Sequence, residues 1–149
     1  MLSTALRQPS LILCAESLFS TTASDGQKFR GFMVFQKFLQ GAAASGDSAM
    51  ISCLFSKNFL RCLMNQAARE DRYLHRAALK TLKTMEEIAA SNPEMVLIMV
   101  ACLLGKRGSF NFDQRTNSKS LEKVLQNVPA GSGERIISLL RERIAYAVK

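Results

Sequence analysis

Apolar residues along this chain recur every three or four positions, in segments separated by glycine, proline, serine and asparagine. No segment shows the clear alternation of apolar and polar residues that is typical of a half-buried strand. The pattern predicts helices over residues 10–20, 27–43, 48–55, 57–68, 71–90, 93–104, 118–126 and 133–147. We therefore expect an all-α fold in which antiparallel helical hairpins stack in an armadillo- or HEAT-like layer.

The segment between residues 106 and 117 lacks a helical period and is predicted to be a loop. In this loop we expect Asp113 to turn back towards Thr116, and Ser118 to cap the following helix. A second loop is predicted over residues 127–133, which contain a proline and two glycines.

The length of 149 residues fits one domain with a real core. We assign residues 1–149 to a single α-helical domain, in which residues 1–26 show the least definite pattern. No internal repeat is visible, although consecutive helical hairpins of this length are the units of helical-repeat arrays.

The two central predicted helices each combine an apolar stripe with a basic stripe. The apolar stripes comprise Phe59, Leu60, Leu63 and Ala67 in the first helix and Leu74, Ala78, Leu82, Met85 and Ala89 in the second. The basic stripes comprise Lys57, Arg61 and Arg69, with Asn65 among them, and Arg72, Arg76, Lys80 and Lys83. The apolar stripes are expected to face the core.

Two interpretations of the basic stripes stay open. They are either solvated faces that acids such as Glu86 and Glu87 neutralise, or surfaces that contact phosphates or an acidic protein. The formal net charge of +8 is compatible with both nucleic acid and acidic proteins as partners. A second candidate contact surface lies in and after the predicted loop and comprises Lys106, Arg107, Arg115 and Lys119.

No recognisable catalytic or metal site emerges from the sequence. The single histidine, His75, follows an apolar position beside the basic stripe and is expected to pack or to cap a helix. No phosphate-binding loop, nucleophile motif or cluster of carboxylates is present, so we predict no catalytic residues, no cofactor and no enzymatic activity. A cryptic nucleotidyltransferase, built from residues that meet only in space, remains the alternative.

The cysteine spacing and the hydropathy of the chain argue against a zinc-binding protein and a membrane-spanning protein. Four cysteines stand singly in apolar segments, without the spacing of a zinc site, and are expected to be buried, reduced thiols: Cys14, Cys53, Cys62 and Cys102. The longest strongly apolar run, residues 95–104, is about half as long as a membrane-spanning helix requires. We therefore expect no membrane as partner. Because the sequence shows no catalytic site, we also expect no small-molecule substrate.

Four stretches of the sequence resemble the Myb-binding protein 1A family, also called the DNA polymerase phi or fungal DNA polymerase V family. They are GFMVFQKFL (31–39), LFSKNFLRCLMNQ (54–66), DRYLHRAALKTL (71–82) and NFDQRTNSKSLEKVL (111–125). The last two are the more specific, because Asp-Arg-x-Leu-His followed by Asn-Phe-Asp-x-x-Thr is not a general helical pattern.

This resemblance implies a large α-helical repeat protein of the nucleus and nucleolus, much longer than the present chain. It also implies a role in ribosomal RNA transcription, ribosome biogenesis and transcriptional regulation, with DNA binding. On that basis we expect a nucleolar scaffold segment whose basic stripes contact ribosomal DNA, ribosomal RNA or acidic nucleolar proteins. A purely structural protein-interaction module is the remaining alternative.

Overall fold

The structure is a computed structural model that describes residues 17–105, 108–109, 111–129, 131, 133–135, 137–138 and 141. Every regular element within these ranges is helical, so the all-α prediction is confirmed. The elements are α1 Asp25–Ser45, α2 Ser48–Leu54, α3 Lys57–Ala67, α4 His75–Ser91, a 3-10 turn Pro93–Met95, α5 Val96–Leu104, α6 Phe112–Thr116 and α7 Ser120–Leu125.

Local capping residues fix the ends of the first three helices. α1 begins with a capping box, in which Ser24 and Gln27 each accept a hydrogen bond from the other's backbone N–H. α1 ends at Gly46, whose φ of 72° lies in the left-handed region that glycine adopts without strain. Asp47 and Ser56 then accept backbone hydrogen bonds in the first turns of α2 and α3.

Helix α4 is the central element, since it packs against α1, α3 and α7. α2 lies between α1 and α5, while α6 packs against α3 and α7. The apolar stripes predicted for the two central helices are all buried, which confirms that assignment. The amide of Gln36 in α1 donates to the hydroxyl of Thr81 in α4 at 3.0 Å, so this buried polar contact is satisfied.

Phenylalanine rings fill the core between α1 and α3. The rings of Phe35 and Phe59 stack with centroids 3.9 Å apart, and Phe19 meets both Phe32 and Phe59 edge-on at 5.2 Å. Gly31 makes room for Phe19, because a Cβ atom there would lie 2.6 Å from the Phe19 ring. This contact fastens the segment before α1 to the helical core.

Several predicted boundaries differ from the structure. The helix predicted over residues 71–90 begins at His75, because residues 69–75 form turns held by backbone bonds from Arg72 to Arg69 and from His75 to Arg72. The predicted loop over residues 106–117 contains helix α6, and the helix predicted over 118–126 is Ser120–Leu125. Five residues are too few to show a helical period, so α6 escaped the pattern.

Two further predictions fall partly outside the described residues. Most of the helices predicted over 10–20 and 133–147 lies there, as do Cys14, Lys106 and Arg107. Of the other cysteines, Cys62 and Cys102 are buried thiols as predicted, whereas Cys53 is exposed and that part of the prediction was wrong. Cys53 lies on the outer side of α2, whose buried residues are Met50 and Ile51.

Candidate nucleic-acid or acidic-partner interface

A row of exposed cations follows the outer face of α4. Arg76, Lys80 and Lys83 stand at intervals of four and three residues, so they share one side of the helix, and Arg72 precedes them in the turn before α4. Within the described residues none of the four is in an ion pair. We call these four residues the α4 basic face.

Glu86, one of the two acids that one interpretation of the basic stripes invoked to neutralise them, is engaged elsewhere. One of its carboxylate oxygens lies 3.4 Å from the Lys123 ammonium, and the other accepts a hydrogen bond from the Ser120 hydroxyl at 2.8 Å. Both partners belong to α7, so this acid ties α4 to α7 rather than pairing with the α4 basic face, and exposed Glu87 forms no ion pair within the described residues. The charge of that face is therefore available to an external anion.

The basic stripe predicted for the preceding helix does not form one surface. Lys57 is exposed at the start of α3, but Arg61 is half-buried and donates a hydrogen bond to the Phe19 carbonyl oxygen at 3.2 Å. Arg69 lies beyond the end of α3 and forms an exposed ion pair with Asp71 at 2.8 Å. Arg61 therefore holds the segment before α1, and Arg69 is partly neutralised.

The opening turn of α4 is held by Gln66 and His75. The Gln66 side-chain oxygen accepts a hydrogen bond from the Leu74 N–H at 3.1 Å, and Nδ1 of His75 lies 3.0 Å from the Gln66 carbonyl oxygen. A carbonyl oxygen only accepts, so Nδ1 carries the proton in this bond. His75 thus caps the end of α3, which confirms the expected capping role and explains the Leu-His pair in DRYLHR.

The NFDQRT segment has a similar structural role. The Asp113 carboxylate accepts hydrogen bonds from the backbone N–H groups of Leu121 at 2.7 Å and Glu122 at 3.0 Å, so it caps α7 from α6. The predicted cap, Ser118, accepts a 3.4 Å bond from the Ser120 N–H, and its hydroxyl lies 2.7 Å from the Thr116 hydroxyl. The Asp113 carbonyl oxygen accepts a 3.4 Å bond from the Thr116 hydroxyl, as expected, whereas its carboxylate reaches on to the next helix.

The two described cations of the second candidate surface, Arg115 and Lys119, are both exposed. They flank Asn117, which ends α6 with a left-handed φ of 53°, a conformation that asparagine tolerates. Lys106 and Arg107 lie outside the described residues, so their predicted proximity to this pair stays a prediction. Arg115 lies on α6, and Lys119 lies immediately before α7. Both are distant in sequence from the α4 basic face.

A groove of about 430 Å³ opens between the first turns of α1 and α4. It is lined by Asp25, Gly26, Phe29, Tyr73, Leu74, Arg76 and Ala77. Phe29 is 48% and Tyr73 82% exposed, although large aromatic side chains are usually buried. Neither residue was predicted to be functional from the sequence, although the position of Tyr73 outside the apolar stripe that begins at Leu74 indicates exposure.

The described part of the chain has no grouping of side chains typical of a metal site. There, no three His, Cys, Asp or Glu side chains are grouped as ligands for a metal ion. Burial raises the pKa of the Cys62 thiol, and the nearby charges of Lys28 and Arg61 act in the opposite direction. No single described helix is long and apolar enough to cross a membrane; His75–Ser91 and Pro93–Leu104 would suffice only together, and they are bent by 115°.

Comparison with known proteins places these features in a family. The sequence model described as DNA polymerase phi matches residues 13–147. The chain is 38% identical to the rDNA transcriptional regulator pol5 of Schizosaccharomyces pombe over 135 residues, which are 91% of the chain and 13% of the relative. It is 32% identical to the rDNA transcriptional regulator POL5 of Saccharomyces cerevisiae over 114 residues, which are 74% of the chain and 11% of the relative.

The chain thus spans about an eighth of the length of these curated relatives. No solved structure gives a significant match. The family match covers all four stretches that suggested the resemblance, including the His75 and Asp113 caps described above. The chain belongs to the DNA polymerase phi family.

Proposed function

We propose that this chain is a non-catalytic segment of a regulator of ribosomal DNA transcription, and that its α4 basic face binds ribosomal DNA or ribosomal RNA in the nucleolus. The observation that carries the proposal is the row of exposed cations without ion pairs among the described residues: Arg72, Arg76, Lys80 and Lys83. The relatives' names as rDNA transcriptional regulators support the process, and their greater length supports a segment of a longer helical array.

Two of the acids, Asp113 and Glu86, have structural roles that fit a scaffold better than polymerase chemistry. Asp113 binds two backbone N–H groups of α7, and Glu86 binds Ser120 and Lys123. Phosphoryl transfer with two metal ions requires carboxylates that converge on the metals. These two carboxylates instead hold helices together, as a scaffold requires.

Salt dependence of binding tests the proposal. Duplex ribosomal DNA and structured ribosomal RNA are titrated with the 149-residue chain at increasing salt, and affinity should fall steeply because bound cations displace counterions. Arg72, Arg76 and Lys80 are then changed together to Gln. We expect the slope of log affinity against log salt to become shallower by about two to three for duplex DNA.

A matched control removes three charges elsewhere. Lys37, Arg135 and Arg141 are exposed on other parts of the described chain, and their joint change to Gln should largely preserve the salt slope. No nucleic-acid binding at low salt, or equal effects of the two triple variants, would overturn the proposal. Binding of acidic proteins that RNA cannot displace would instead assign the face to a protein partner.

The proposed nucleolar localisation of the protein is tested separately by fluorescence imaging. A fluorescently tagged copy of the protein should concentrate in the nucleolus, and an even cellular distribution would contradict that part of the proposal.

A further inference from the structure

We propose that the groove between the first turns of α1 and α4 binds one unpaired nucleotide of RNA. In this arrangement the base stacks on Tyr73 and Phe29, and the phosphate is bound by Arg76 with Arg72 beside it. The inference rests on the proposed function, because it assigns a defined contact next to the α4 basic face. It adds a preference for single-stranded RNA, which a basic face alone does not provide.

The exposure of the two aromatic rings points to a stacking partner. Five other phenylalanines pack into the core cluster between α1 and α3, whereas Phe29 projects from α1 into the groove. Tyr73 lies in the turn before α4 and is 82% exposed, so it contributes little to the core. Exposed aromatic rings beside cations are the usual means by which proteins bind single-stranded nucleic acid.

The charges around the groove favour an anion on the α4 side. Arg76 lines the groove and Arg72 adjoins Tyr73 in the chain, and neither is in an ion pair within the described residues. α4 also begins without a side-chain cap and without an acid in its first turn, so no residue of that turn offsets the positive end of its dipole. A phosphate next to a stacked base would meet these positive charges.

The size of the groove argues for one nucleotide rather than a duplex. Its volume of about 430 Å³ falls at the lower end of the range, roughly 300–1,000 Å³, found for small-molecule sites. A base inside a duplex is stacked on its neighbours and cannot enter such a groove without unstacking. The site therefore suits an unpaired nucleotide in a loop or a single strand.

Asp25 provides the argument for RNA over DNA. Its carboxylate lines the α1 side of the groove, where it would repel a phosphate but can accept a hydrogen bond from a ribose 2′-hydroxyl. The opposed charges of Asp25 and Arg76 thus orient the nucleotide with its phosphate towards α4 and its sugar towards α1. DNA lacks the hydroxyl that this carboxylate would bind.

Tyrosine emission offers a direct readout of stacking. The chain contains no tryptophan and only two tyrosines, so a Tyr146→Phe background leaves Tyr73 as the single tyrosine. An oligouridine decamer should quench the emission of Tyr73 as its bases stack on the ring, and the anisotropy of a labelled decamer should give the affinity. The matched DNA decamer, with deoxyuridine in place of uridine, should bind more weakly.

Variants separate stacking from charge. In the natural background, Tyr73→Ala should weaken binding of the decamer about tenfold, whereas Tyr73→Phe should retain it because the ring remains. Leu79→Ala is the matched control, since Leu79 is an exposed apolar residue of α4 outside the groove lining and its truncation should not change the affinity. Asp25→Asn should reduce the preference for RNA over DNA.

Several results would overturn the inference while leaving the proposed function intact. These are salt-dependent binding without quenching of Tyr73, an unchanged affinity of Tyr73→Ala, and equal binding of a duplex or of the DNA decamer. Two results together would assign the groove to an acidic peptide. Polyglutamate would displace the decamer, and the Tyr73→Ala variant would bind as tightly as the natural chain. Absence of all nucleic-acid binding would overturn both proposals.

Discussion

At residue 31 the core leaves no room for a side chain larger than that of glycine. Phe19 packs over it, and the Phe19 ring is itself fixed between Phe32 and Phe59. Because that ring cannot swing away without breaking two aromatic contacts, a methyl group at residue 31 must displace the segment before α1.

Replacement of Gly31 by Ala should lower the free energy of unfolding by about 1–3 kcal/mol, since overpacking outweighs the better helix propensity of alanine. Gly41→Ala, in the same helix but facing open space, should raise it by about 0.5–1 kcal/mol. Urea titration of both variants measures the difference. A Gly31→Ala variant as stable as Gly41→Ala would contradict the packing described for Phe19.

Thiol alkylation should distinguish the cysteines by exposure. Cys53 is exposed, whereas Cys62 is buried and its pKa is raised by that burial, so less of it is thiolate at neutral pH. We expect iodoacetamide to modify Cys53 well before Cys62 in the native protein, as measured by peptide mapping. In urea the two rates should converge, and early modification of native Cys62 would contradict its burial.

At the scale of elements, helix ends are set by side chains that reach to the next helix. Gln66 and His75 join the end of α3 to the start of α4, and Asp113 joins α6 to α7. These bonds involve the residues that make DRYLHR and NFDQRT distinctive. Those motifs are therefore explained by folding, whereas Tyr73 and Arg76 have no such explanation within the described structure.

Gln66→Ala should destabilise the protein by about 1–2 kcal/mol, because the N–H of buried Leu74 would lose its acceptor. The neighbouring Asn65 is exposed on the same helix, and Asn65→Ala should change the stability by no more than about 0.5 kcal/mol. The comparison is made by urea unfolding. Equal effects would show that the Gln66 bond does not hold the turn before α4.

At the scale of the whole molecule, the described helices share one hydrophobic core. Buried residues from Phe19 to Val124 belong to a single cluster, and α4 contacts helices from both ends of the described chain. A core of this kind cannot lose one helix without exposing apolar surface on its neighbours. The domain should therefore unfold as a unit.

We expect one cooperative urea transition, with the same midpoint by far-ultraviolet circular dichroism and by the reactivity of Cys62. The two probes report on the helices and on the α3 core, which a two-state protein loses together. Separate midpoints would divide the chain into independently folding parts and would contradict the assignment of one domain.

The helices and their buried faces were predictable because they depend on neighbours three and four residues away. The apolar stripes from Phe59 to Ala67 and from Leu74 to Ala89 were found in this way, and all of their residues are buried. Capping was one of the two roles expected for His75, but its partner, the Gln66 carbonyl oxygen of α3, lies across a turn and could not be predicted from local periodicity. The short helix α6 was missed, because its formation depends on packing against α3 and α7.

The sequence by itself thus determined the all-α class, the core faces and the family, since these depend on local periodicity and on motifs. Only the tertiary structure decided which cations remain available, because Arg61 is bound by the distant Phe19 carbonyl and Glu86 is held by α7. It also decided that Phe29 and Tyr73 share a groove, although they are far apart in sequence. Packing between helices brings such residues together, and the local pattern of apolar and polar residues does not predict that packing.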